Sequence, residues 1–279
     1  MPVDPALRLL DIDIPSQPEA LVKLSLLLAE EVVDFKALAT LIEADMALAA
    51  AVLKAVNSSL YGLSGRVQSV QQAITYLGTR EVAAVTFEMG LRAIFPHASE
   101  LAALWDRAAQ RGVLMGRMGV ALGIDPWAAH SAGLFEECGK AVLFRHAPDH
   151  YRSMLRAASS DAELLTLEHA GFGVSHDALG AALCESWGLG AAAVASVRHH
   201  VGMQATLEFP AALQRRGILA LSAIVAALMA PDSPTRPARL DAVVAALAPQ
   251  VDLDTTLVLR TARQLEDEMQ QAHKRAQAA

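Results

Sequence analysis

The chain has 279 residues, 53% hydrophobic and 19% charged, a balance that excludes a disordered or low-complexity protein. With 23 Lys and Arg against 30 Asp and Glu, the formal net charge of -7 argues against a general electrostatic grip on nucleic acid. Aromatics are only 5% of residues, so the core is expected to be built from Ala, Leu and Val.

The mean hydropathy of +0.32 raises the membrane question, and run lengths answer it. The longest uncharged apolar run, Gly217 to Ala230, has 14 residues against the roughly 20 that span a bilayer, and reads as a buried core helix. The N-terminus, MPVDPALRLLDIDIP, carries acids and prolines where a signal peptide has basic residues and then an apolar stretch. A cytoplasmic protein with no membrane partner is expected. Cys138 and Cys184 form no CxxC and read as buried thiols, although one bridge between them is compatible with the sequence.

In chain order, the periodicity is helical. Leu38, Leu41 and Ile42 share one helix face, and Leu48, Val52 and Val56 repeat every four residues along the next helix, with Leu53 also expected to be buried. Asp34 and Asp45 are placed to cap these two helices, which should meet between Glu43 and Met46. Asn57 to Gly65 reads as a loop. Further helices are predicted over Val70 to Leu77, stopped by Gly78, and over Arg80 to Ile94, stopped by Pro96. No stretch alternates as a strand does, so the class is all-α. Pro231 to Pro237, with three prolines in seven residues, is the best linker candidate. It precedes a segment whose charged end, RQLEDEMQQAHKRAQ, reads as a solvated terminal helix.

Among the nine histidines, His146 and His150 have a metal-binding spacing, but Pro148 lies between them and breaks a helix there. His199 and His200 are adjacent, so on a helix they point about 100° apart and at most one enters a given pocket. His176-Asp177 forms an HD dipeptide, which suggests a metal phosphohydrolase but arises readily by chance. No GxSxG, P-loop or GxGxxG is present. Cys138 precedes Gly139-Lys140, and a nearby lysine can activate a thiol, yet a small buried thiol is the simpler reading.

Several blocks share an order with a known family. They are Ile14-Pro15-Ser16-Gln17-Pro18-Glu19, then Leu38 to Gly62 (LATLIEADMALAAAVLKAVNSSLYG), then Val67-x-Ser69-Val70-x-x-Ala73-Ile74-x-x-Leu77-Gly78. In the second half come Leu104-Trp105, Gly133-Leu134-Phe135, Gly139-Lys140, Gly171-Phe172, His176, Gly180, Trp187 and His199-His200. This order, over about residues 14 to 205, resembles the HDOD family, the HD-related output domains of bacterial signalling proteins. One departure is Met46, where the family usually has Pro.

The resemblance implies an N-terminal helical part, about 14–97, packed on a degenerate HD-like helical core, about 98–210, with a C-terminal helical extension over 211–279. Active HD phosphohydrolases hold metal with a His, a His-Asp pair and further His and Asp residues. By the resemblance, Arg107 takes the place of the first His, and Glu136-Glu137 that of the His-Asp pair. His176 matches a later His, and the final Asp has no counterpart near Ser222. A vestigial pocket of Arg107, Glu136, Glu137, His176, His199 and His200 is therefore expected, with no catalytic residue, metal or cofactor. An ion pair from Arg107 to Glu136 or Glu137 should replace the metal, and Arg107→Ala should then be strongly destabilising if that pair is buried. The motif loop, Asn57, Ser58, Tyr61 and Gly62, reads as a capping network. The implied function is a non-catalytic regulatory module contacting other signalling proteins, with a small anion or nucleotide as a further candidate ligand. The alternative is a metal-dependent phosphohydrolase with an atypical ligand set; the Gly-Tyr-Pro motif of the related HD-GYP enzymes is absent.

Overall fold

The computed structural model describes residues 12–28, 30, 33–58, 60–61, 63, 65–231 and 233–277. Its regular structure is helical, and no strand occurs among the described residues. The chain divides into two units, one built from Gln17–Phe95 with the residues after Arg263, the other from Pro96–Arg263 with the residues before Gln17.

The Gln17–Phe95 unit contains α1 (Glu19–Leu28), α2 (Phe35–Glu43), α3 (Met46–Val56), α4 (Val70–Leu77) and α5 (Thr79–Ala93). Local chemistry sets these boundaries. The Asp34 carboxylate accepts from Lys36 N at 2.8 Å, and Asp45 accepts from Ala47 N and Leu48 N at 2.9 and 3.0 Å, satisfying first-turn amides that have no helical partner. Ser69 caps α4 through Gln72 N, and Gly78, at φ 84°, ends it. Leu38, Ile42, Val52, Val56, Ala73 and Leu91 are wholly buried. Leu53 is only part-buried, contrary to expectation. The stripe of Leu48, Val52 and Val56 faces inward, and Leu53 lies about 100° round from Val52.

The motif loop is clipped by one side chain. Asn57 donates from Nδ2 to the carbonyls of Leu53 and Val67 at 2.9 and 2.7 Å, and its Oδ1 accepts from Val67 N at 3.2 Å. Ser58 and Tyr61 join by backbone, Tyr61 N donating to Ser58 O at 3.3 Å, while Gly62 lies outside the described residues. Asn57→Ala should cost about 1–3 kcal/mol in urea denaturation, because it leaves backbone groups of Val67 unpaired. A cost near zero would show that the loop is held by something else.

The other unit runs α6 (Ser99–Leu122), α7 (Pro126–Phe135), α8 (Cys138–His146), α9 (Pro148–Ala157), α10 (Asp161–Phe172), α11 (His176–Ser186), α12 (Ala191–Thr206), α13 (Gly217–Leu228) and α14 (Arg236–Leu247), then a 3-10 turn at Ala248–Val251 and the first part of α15 (Thr255–Gln277), whose residues after Arg263 fall in the Gln17–Phe95 unit. Pro148 starts α9, so His146 and His150 lie on different helices, each with its ring against Phe172. The apolar run at 217–230 forms α13, buried continuously from Ile218 to Val225. The proline-rich stretch joins α13 to α14 and places Pro237 in the first turn of α14. Both cysteines are free and buried. Trp187 Nε1 donates to Pro15 O at 2.9 Å, and Arg145 pairs with Asp13 at 3.0 Å, so Asp13 and Pro15 lie on this unit. No described helix is long and apolar enough to cross a membrane.

Candidate functional site

Where α7 gives way to α8, two adjacent glutamates turn into the interior. Glu136 is wholly buried and Glu137 nearly so. The cations that meet them come from one face of α6, where Arg107 and Arg111 stand one turn apart. Arg107 Nη2 donates to Glu137 Oε2 at 2.8 Å, and Arg111 Nη1 donates to Glu137 Oε1 at 3.0 Å. Arg111 also reaches the second carboxylate, its Nε lying 3.2 Å from Glu136 Oε2. Lys140, one turn into α8, sits 3.7 Å from Glu137 Oε2 and bonds Asp161 Oδ1 at 2.7 Å.

The expected ion pair is thus present, with a correction to its weight. The Arg107 side chain is 50% exposed, whereas that of Arg111 is 10% exposed and bridges both glutamates. Arg111 is the interior cation. Its charge and its spacing of four from Arg107 were both visible in the sequence, but a lone Arg on a long helix carries no mark of burial.

The two glutamates differ sharply in proton affinity. Burial alone would raise Glu137, but Lys140, Arg111 and Arg107 over-compensate and hold it well below the usual carboxylate range. Burial pushes Glu136 up to about 7, since only Arg111 and the Ser222 hydroxyl oppose it. Glu136 Oε1 has no hydrogen-bond partner in the structure.

A second polar group surrounds the start of α11. Glu168, wholly buried, accepts from Tyr151 Oη at 2.6 Å, from His176 N at 2.8 Å and from His176 Nδ1 at 2.8 Å. His200 donates from Nδ1 to Val197 O at 2.7 Å, and its ring lies 5.6 Å from that of His176, edge to face. Both imidazoles therefore spend Nδ1 on an internal acceptor, and neither Nε2 has a partner. Burial first, and then the adjacent His176, drives His200 far down, so it is neutral at neutral pH. His199 is turned aside and is part-buried; burial and Arg198 lower it. Asp177 is engaged by Arg198 at 2.7 Å and by Ser175. Tyr151, Asp161 and Glu168 were not read as site residues from sequence, because they are brought here only by the packing of α9 and α10.

An HD-type metal does not fit this arrangement. Among the described residues no three His, Cys, Asp or Glu side chains come together as a metal would require. Glu137 is already met by two guanidinium groups and Glu136 lies against one of them, and guanidinium has no lone pair to offer a metal.

The described architecture is all-helical, and its polar centre is built from internal ion pairs among Arg107, Arg111, Glu136, Glu137 and Lys140. The HDOD domain family matches residues 14–203, and the chain belongs to that family. A curated relative, an uncharacterised protein of Treponema pallidum (strain Nichols), is 26% identical over 192 residues, which are 67% of this chain and 37% of that protein. The chain thus spans well under half the length of that relative. Among solved structures, an HDOD domain protein of unknown function from Geobacter sulfurreducens superposes with a TM-score of 0.71 at 19% identity, covering 96% of this chain and 94% of that one. A protein of Shewanella amazonensis, provisionally described as a phosphohydrolase, gives 0.72 at 17% identity, covering 97% of each chain. A protein of Marinobacter aquaeolei, provisionally described as a signal transduction protein, gives 0.69 at 22% identity, covering 95% of this chain and 60% of that one. At these identities the likeness is one of fold.

Proposed function

We propose that the chain is a non-catalytic regulatory module of bacterial signalling, acting in the cytoplasm through contacts with other signalling proteins. The observation that carries this reading is Arg111, a buried guanidinium bridging Glu136 and Glu137. A fixed positive charge beside two carboxylates repels a divalent ion, and without a metal the cluster has no means of activating water against phosphorus. A small anion or nucleotide is also poorly served. The unpartnered buried atoms here, Arg111 Nε, Glu136 Oε1, His176 Nε2 and His200 Nε2, are of mixed character and form no cradle of converging donors for an anion.

Two experiments test the reading. Elemental analysis of the purified protein should find no stoichiometric Mn, Fe, Ni or Zn, and neither a generic phosphodiester nor cyclic di-GMP should be hydrolysed. About one metal per chain, with activity abolished by chelation, would reverse the conclusion in favour of a phosphohydrolase. The partner-binding half is tested by affinity capture from the native organism with wild type and with a variant of the exposed apolar side chains, such as Leu26→Asp with Met46→Asp, which are 68% and 86% exposed. A partner held by the wild type and lost by the variant supports it; recovery of none counts against it.

A further inference from the structure

The two adjacent glutamates are unequally answered by the cations around them. Glu137 is met by Arg107, Arg111 and Lys140, so its charge is fully answered. Glu136 shares Arg111 with Glu137, has only long contacts beyond it, with Gln204 Nε2 at 3.5 Å, and leaves Oε1 bare in a wholly buried position. The other ionisable groups around it give little help. On α6, Arg111 already serves two carboxylates; Lys140 of α8 is committed to Asp161 of α10. Asp161 and Glu137 themselves disfavour a second negative charge, while His200 of α12 stays neutral beside His176 of α11. The α13 helix offers only the Ser222 hydroxyl.

We propose that Glu136 is a proton-binding site at the α7–α8 junction, which holds α7, α12 and α13 together when protonated and loosens them when its proton leaves. Protonated, Glu136 places no net charge in the dry interior, and its weak contacts with Gln204 and Ser222 suffice. Ionised, it is a buried carboxylate with half a counter-ion and a bare oxygen, a state relieved by admitting water between these helices. The inference concerns the pH response of the fold and stands whether or not the module acts through partners.

The sign follows from linkage. The carboxyl is held protonated to about 7 in the folded chain, against an ordinary 4.5, so the unfolded chain gives up this proton first. Glu136 therefore removes stability as pH rises between those values, by roughly three-hundred-fold in the unfolding equilibrium over the whole window, with no further change above. His200, kept neutral by burial, acts oppositely over much of the same range, so the difference between two proteins is the informative quantity.

The test is urea denaturation of wild type and Glu136→Gln from about pH 4.5 to pH 8.5. The amide mimics the protonated carboxyl, so the variant should gain on the wild type by roughly a hundred-fold as pH rises, and amide exchange in α12 and α13 above neutral pH should slow relative to wild type. Parallel curves overturn the proposal. If the variant does not fold, carboxyl-labelled glutamate NMR on the wild type decides: one glutamate titrating near neutral pH supports the site, and none above about pH 5.5 refutes it.

Discussion

Replacing Arg111 by methionine should lower folding stability by about 3–5 kcal/mol at pH 8.5, because above the Glu136 pKa of about 7 it leaves that buried carboxylate without its cation. Glu137 would keep Arg107 and Lys140, but Glu136 would lose its sole cation. Adding Glu136→Gln to Arg111→Met should recover much of the loss, since the amide carries no charge to strand. Arg107→Met should cost about 1 kcal/mol or less, because its half-exposed guanidinium is screened by water and Glu137 retains two other cations. Urea denaturation of these variants at one pH orders them directly. A larger cost at Arg107 than at Arg111 would mean that the interior charge is held otherwise than described.

Gly139→Ala should be nearly as damaging, for steric rather than electrostatic reasons. A Cβ at this position would lie 1.8 Å from His176 O and 2.8 Å from Gly180 N. These are backbone atoms of α11, so relief requires α8 and α11 to move apart rather than a side chain to rotate. Overpacking costs typically 1–3 kcal/mol, and a backbone collision of this depth belongs at or beyond about 3 kcal/mol. The shift would also pull His176 from Glu168, so the dyad and the helix contact should fail together. Gly202→Ala, within α12 where nothing lies within 4 Å of a new Cβ, is the control and should gain up to about 1 kcal/mol. Thermal melts compare the two; a loss under about 1 kcal/mol at Gly139 would refute the close approach of α8 and α11.

The parts of this structure legible in sequence are those governed by near neighbours. Asp34 and Asp45 act on amides two and three residues ahead, and Pro148 acts on its own helix turn, so their effects are written locally. The stripe of Leu48, Val52 and Val56 needs only the helical period. The charged centre is different in kind. Arg111 meets Glu137 across 26 residues, and Tyr151 meets Glu168 across 17, and such pairings depend on which helices pack. Motif order alone led to Arg107, which does touch Glu137; only burial distinguishes it from Arg111, and burial is a property of the folded neighbourhood. Adjacent histidines illustrate the same division: their divergence on a helix was readable, but that His200 is the inward one was not.

The bond from Trp187 to Pro15 O has a consequence for how the chain is made. Its two ends are 172 residues apart, and the Arg145–Asp13 pair closes a span of 132. A ribosome delivers Pro15 long before Trp187, and the whole of Gln17–Phe95 emerges in between. That intervening stretch carries α1 to α5 complete and can begin to pack while synthesis continues. The leading segment must wait with its landing place unmade, and the slowest closure is set by the longest span. A fragment begun at Pro96 to isolate the ionic centre would remove the acceptor of the buried Trp187 indole and leave that N–H unmatched. Truncations intended to simplify this protein therefore need to retain the residues from Asp13 to Ser16.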